Sequence, residues 1–163
     1  MHPRTPADAP QDRGTAPVVG VVVLVFVAVV LAAAVGTAVT ATSPERPPTA
    51  RLSLTADASA DRIALTHEGG ETLTVSELDV RIEIDGTALA HQPPVPFFAS
   101  KGFESGPTGP FNNASDGRWQ AGDTAAVRLA ATNAPALTAG ATVTVVVSTE
   151  GAVISEETVR ATA

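Results

Sequence analysis

An N-terminal transmembrane α-helix followed by an all-β, antiparallel sandwich of immunoglobulin-like type is the fold class this sequence predicts. Three observations predict it. Residues 15–43 contain no charged residue. Beyond residue 50, apolar and polar residues alternate with period two. Turn dipeptides such as Asp85-Gly86 separate the alternating runs.

The uncharged run is centred on Val18-Val19-Gly20-Val21-Val22-Val23-Leu24-Val25-Phe26-Val27-Ala28-Val29-Val30-Leu31-Ala32 and continues through Ala33-Ala34-Val35-Gly36. About 20 apolar residues in a helix cross a hydrocarbon core of roughly 30 Å. A buried core helix seldom runs this far without a polar position. Ala32-Ala33-Ala34 offers small residues to a signal peptidase, but the run exceeds the usual signal-peptide core of about 7–15 residues and begins late. Arg4 and Arg13 precede it, and no Lys or Arg follows until Arg46. That bias places the N-terminus in the cytoplasm and the rest of the chain outside. Ser43-Pro44-Glu45-Arg46-Pro47-Pro48-Thr49 then reads as a stiff spacer.

After the spacer, Ala50–Thr55 and Arg62–His67 alternate, and Gly69-Gly70 reads as a turn into Thr72–Val75. Leu78, Val80, Ile82 and Ile84 share one face of the next strand. Asp85-Gly86 signals a hairpin returning through Thr87–Ala90. Val127–Leu129, Thr142–Val147 and Ala152–Val159 read as further strands, the last entered through Glu150-Gly151. Seven or eight short strands with turns between them give the sandwich expectation. Residues 91–121 break the rhythm: four of the five Phe and the only Trp gather there with Pro93, Pro94, Pro96, Pro107 and Pro110. Buried aromatics plugging one end of the sandwich account for this stretch better than an exposed functional loop.

The four regions are therefore a leader over 1–14, a helix over 15–42, a linker over 43–49 and a β-domain over 50–163. The chain of 163 residues carries a net charge of −7. Residues 1–43 are neutral, so all excess acid lies in the domain. With Lys101 its only lysine, such a domain suits no nucleic-acid backbone. The absence of Cys removes disulfides, thiolate nucleophiles and Cys-based zinc sites.

Candidate chemistry is sparse. His67 with Glu68 or Glu71 is a conceivable cation site, but a His that stabilises its turn fits better, since neither Glu stands in a recognised ligand motif. His2 and His91 lie in distant segments. Asp79, Glu83 and Asp85 read as the solvated face of one strand. No P-loop, G-x-G-x-x-G or G-x-S-x-G occurs, so neither enzyme activity nor a cofactor is expected, and no metal site is assigned. Asn113-Ala114-Ser115 is an N-glycosylation sequon.

Ahead of the helix, Asp12-Arg13-Gly14-Thr15-Ala16-Pro17-Val18-Val19-Gly20 combines a basic residue, a small residue and a Pro-led apolar opening. This pattern, over residues 11–42, resembles the N-terminus of archaeal type IV pilins, with the nearest likeness to pilin-like proteins of halophilic archaea. Ala16 replaces a frequent Ser, and the helix is richer in Val, Ala and Leu than is usual there. The resemblance implies cleavage by a prepilin peptidase between Gly14 and Thr15, guided by Arg13 and Pro17. It further implies assembly with other pilin subunits through the freed helix, a place at the membrane or in a surface pilus, glycosylation at the sequon, and adhesion. The alternative reading is a single-pass, membrane-anchored binding module that forms no filament.

Overall fold

A computed structural model describes residues 16–40 and 46–163 of the chain. The chain divides between residues 45 and 46 into two compact units.

The first unit contains one helix, α1 (Ala16–Thr40), of 25 residues with no acid in its first turn and no base in its last. Pro17 is its second residue, where the missing N–H leaves no hydrogen bond unmade. Side chains are described for residues 18–32, and every one is exposed. Among the described residues no helix is long and apolar enough to cross a membrane. The expectation for residues 15–42 is corrected accordingly: an apolar helix over Ala16–Thr40 is observed, and a membrane span is not. The leader over 1–14, with Arg13, Gly14 and Thr15, and residues 41–45 of the helix end and linker lie outside the described residues.

The second unit is antiparallel β-structure. Strands β1 (Ala50–Asp57), β2 (Arg62–Gly70), β3 (Leu73–Thr74), β4 (Leu78–Ile84), β5 (Thr87–Ala88), β6 (Arg118–Trp119), β7 (Thr124–Arg128), β8 (Thr142–Thr149) and β9 (Ala152–Arg160) make it up. They form a three-stranded sheet β1-β2-β7, a four-stranded sheet β5-β4-β8-β9 and a small ribbon β3-β6. The alternation read from the sequence governs the packing. Leu52, Leu54, Ile63, Leu65 and Val127 of one sheet share a single core with Val80, Ile82, Val143, Val145 and Val147 of the other. That shared core makes the domain sandwich-like. Near one edge the chain end ties the sheets together: Ala58 N donates to Thr162 O and Thr162 N to Ala56 O, both at 2.9 Å.

Two expected turns are present. Asp85 and Gly86 have φ of 50° and 75°, and Glu150 and Gly151 have 46° and 82°. Positive φ at both central residues matches the right-handed twist of the strands they join. The pair read as a turn into Thr72–Val75 is the end of a strand. Gly69-Gly70 ends β2, with Gly70 paired to Ala50. Gly70 has φ +108°, and a Cβ there would fall 2.5 Å from Thr49 O. Close backbone approach, and not chain reversal, explains this glycine. The β1–β2 reversal, at the other end of β2, uses Asp57, whose Oδ1 accepts from Ser59 N at 2.9 Å, Ser59 Oγ at 2.7 Å and Ala60 N at 3.2 Å. The strand expected over Thr72–Val75 is only Leu73–Thr74, because Val75–Glu77 winds into a 3-10 turn. The strand placed at Val127–Leu129 begins earlier, at Thr124.

Candidate functional site

Residues 91–121 form the aromatic plug. Phe97, Phe103, Phe111 and Trp119 are all buried, Trp119 completely. Phe97 meets Phe103 at 5.6 Å between centroids, and Phe111 meets Trp119 edge-on at 5.2 Å. Such tilted and edge-on contacts set the electropositive ring edge against the electronegative face. Trp119 Nε1 donates to Asp123 O at 3.1 Å, so the indole is satisfied inside the core. Only Phe98 of this group faces solvent, 57% exposed.

Against the plug lies His67, which the sequence singled out. It is fully buried in β2 and contacts Trp119 edge-on at 6.1 Å. Its Nε2 lies 2.9 Å from Glu71 O, so Nε2 carries the proton and donates. Nδ1 has no hydrogen-bond partner. The backbone of His67 also holds the β6–β7 connection: its N–H donates to Asp123 O, and its carbonyl accepts from Gly122 N. Both nearby carboxylates are engaged elsewhere. Glu68 Oε1 accepts from Ser53 Oγ at 2.6 Å. Glu71 Oε2 accepts from Thr49 N at 2.8 Å and Thr49 Oγ1 at 3.2 Å. These bonds, chiefly the one from the Thr49 amide, hold the Glu71 carboxyl below the usual carboxylate range. His67 therefore organises a corner, and the geometry assembles no cation site around it. Among the described residues no group of three His, Cys, Asp or Glu is placed to hold a metal.

Asp79 and Asp85 are exposed and Glu83 half-buried on the polar side of β4, with Arg81 between them. Asp85 Oδ1 accepts from Thr142 N at 2.8 Å and so closes the end of β8. A groove of about 790 Å³ runs over this face, between Asp79 and Arg81 and the segment Gln92–Val95. Gln92 is not free to act there. Its Oε1 accepts from Ile82 N at 2.7 Å and its Nε2 donates to Ile82 O at 3.0 Å, continuing the ladder beyond β5.

The sequon lies beside the plug. Asn113 is exposed, while Ser115 Oγ donates to Asn112 O at 2.7 Å and Pro110 O at 3.2 Å. Sequence reasoning missed Asn133, which is 6% exposed. Its Oδ1 accepts from His91 N and Ala134 N, both at 3.0 Å. Its Nδ2 donates to His91 O at 3.0 Å and Gly102 O at 3.1 Å. One amide thus clasps three loops, and no local motif announces it.

These features define a class: an antiparallel, sandwich-like β-domain with a plugged end, in a chain that also carries an apolar helix. No family model matches the chain. A protein of Archaeoglobus fulgidus described as "Uncharacterized protein" is 34% identical over 74 residues, which are 44% of this chain and 52% of the relative. The chain thus spans about half the length of that relative.

Proposed function

We propose that this chain is a type IV pilin-like cell-surface subunit, cut by a prepilin peptidase between Gly14 and Thr15 and assembled through α1. The observation that carries the reading is the helix itself. Its backbone covers Ala16–Thr40, about 37 Å of helix, and its sequence holds no charged residue. The described side chains, 18–32, are apolar or Gly and exposed around the whole circumference. Such a surface requires a lipid or a packed-helix environment. Gly20 has open space about it, which suits close approach of a neighbouring helix. In the β-domain, the orders β1-β2-β7 and β5-β4-β8-β9 support an immunoglobulin-like arrangement facing outward, for adhesion or filament-surface contacts. A relative from an archaeon agrees with the archaeal character of the N-terminal pattern.

The test is the mature N-terminus, read by mass spectrometry of purified membranes and of sheared surface filaments. A start at Thr15, with the chain present in the sheared fraction, is the expected result. An intact Met1 confined to membranes would sink the processing model and leave an anchored binding module.

A further inference from the structure

The outer face of the three-stranded sheet carries a charge arrangement that neither the core nor the helix explains. Register aligns Asp57 with Arg62, and Arg62 with Arg128, across β1, β2 and β7. Arg62 and Arg128 thus stand directly opposite one another on an antiparallel pair, where Cβ atoms lie about 5 Å apart and like charges repel. In a chain of net charge −7, two guanidinium groups hold this position. Asp57 neighbours Arg62, but its Oδ1 is committed to the turn at Ser59 and Ala60. Arg128 Nε donates to Ala60 O at 3.1 Å, which fixes the side chain against the sheet. Its remaining N–H groups, and all those of Arg62, make no side-chain hydrogen bond among the described residues.

Beside the pair, residues 104–108 run along the free edge of β7. Glu104 N donates to Arg128 O at 2.9 Å, Thr108 N to Ala126 O at 2.9 Å, and Ala126 N to Thr108 O at 3.1 Å. This segment forms one wall of a groove of about 290 Å³ whose lining includes Arg62, Arg128, Ala126, Glu104, Ser105 and Thr108. The lining thus joins the small apolar Ala126, the hydroxyl residues Ser105 and Thr108, two guanidinium groups and one carboxylate, Glu104. Next to Gly106 of this lining stands Phe98, the one exposed aromatic of the domain. Gly106, which also lines the groove, donates its N–H to Phe98 O at 2.7 Å, and a Cβ on Gly106 would lie 3.9 Å from Phe98 Cε2.

We propose that this groove binds a uronic-acid unit of an acidic polysaccharide, its carboxylate held between Arg62 and Arg128. The planar guanidinium fork matches a carboxylate in two parallel hydrogen bonds. Glu104, Ser105 and Thr108 accept from or donate to the sugar hydroxyls. Phe98 covers the apolar face of the ring. Inorganic phosphate offers Glu104, Ser105 and Thr108 no row of sugar hydroxyls to pair with, so it gains less from this lining than a uronate unit does. A volume near 300 Å³ is at the small end of ligand sites and takes one sugar unit. The site goes beyond assembly through α1 and stands whether or not a filament forms.

The experiment titrates the purified full chain, in detergent, with a trimer of galacturonate, a neutral galactose trimer and inorganic phosphate, by calorimetry. The acidic trimer is expected to bind, the neutral trimer to show no heat, and phosphate to compete poorly. Arg128→Gln should weaken binding at least about tenfold. Arg128→Lys, which keeps the charge but loses the fork, should fall between. Phe98→Ala, on an exposed side chain, should cost a few-fold and serves as the decisive variant if Arg128→Gln fails to fold. Equal binding of acidic and neutral trimers, competition by phosphate at equal affinity, no binding of the acidic trimer, or an unchanged affinity in the folded variants would each overturn the proposal.

Discussion

In α1, the valines at positions 18, 19, 21, 22, 23, 25, 27, 29 and 30 are 48–64% exposed, whereas Val143, Val145 and Val147 of β8 are 0–1% exposed. The residue type is the same; what differs is its spacing. In Thr142-Val143-Thr144-Val145-Val146-Val147, alternate positions send one face to the core and leave Thr142, Thr144 and Val146 half-buried on the other. Over residues 18–32 of α1 no polar position interrupts the run, so a period of 3.6 spreads apolar surface around the whole circumference. The β-domain buries the core-facing valines of β8 by itself. The helix does not, and its stability must come from whatever surrounds it.

Matched substitutions put the largest strain on this comparison. Val145→Asp places a carboxylate in a dry core and should abolish cooperative folding of the domain, a loss above about 4 kcal/mol. Val25→Asp should leave domain unfolding unchanged within about 0.5 kcal/mol and, on the pilin-like reading proposed above, should move the full chain out of the membrane fraction. Urea unfolding followed by the fluorescence of Trp119, the only Trp, reads the first quantity, and fractionation reads the second. If both variants unfolded the domain, the independence of the two regions would be lost.

Asn133→Ala comes next, at roughly 2–3 kcal/mol, since it leaves backbone groups of His91 and Gly102 without partners. Gly70→Ala should cost about 1–3 kcal/mol through its positive φ and the approach of Thr49 O. Both are measured in the same unfolding assay.

The smallest effect depends on pH. The Glu71 carboxyl is lowered from 4.5 in the folded chain, so the unfolded state takes up its proton first as the solution is acidified. Its contribution is fully present above the unfolded value and is lost as pH falls through the folded one. Protection of the Thr49 amide from hydrogen exchange should decline over that acidic window. Glu71→Gln should flatten the dependence. A Thr49 amide that stays equally protected across the window would show that the carboxylate does not hold it.

Those parts of the fold that depend on neighbouring residues were legible in the sequence. The alternation of β4 and β8 and the turns at Asp85-Gly86 and Glu150-Gly151 are local facts, and the structure follows them. Gly69-Gly70 misled because a glycine pair serves equally for a reversal and for close backbone contact, and only the position of Thr49 decides which. The ribbon β3-β6, the Asn133 clasp and the facing of Arg62 with Arg128 join residues far apart in the chain. They are consequences of register, which no window of sequence displays. Of the residues weighed for a site, His67 is fully buried with its Nε2 on Glu71 O, a contact four residues along the chain.

The bond from Thr49 to Glu71 also has a mechanical side. Any tension carried by residues 46–48 enters the domain at Thr49, where one exposed carboxylate grips both the amide and the hydroxyl of a single residue. Behind it, β1 lies along β2 from Ala50 to Asp57, with one register shift between Arg51 and Leu52. A pull along β1 must shear these bonds together, and it does not unzip them one at a time. The clasp at Thr49 is thus the first contact such a load meets, ahead of the ladder between β1 and β2.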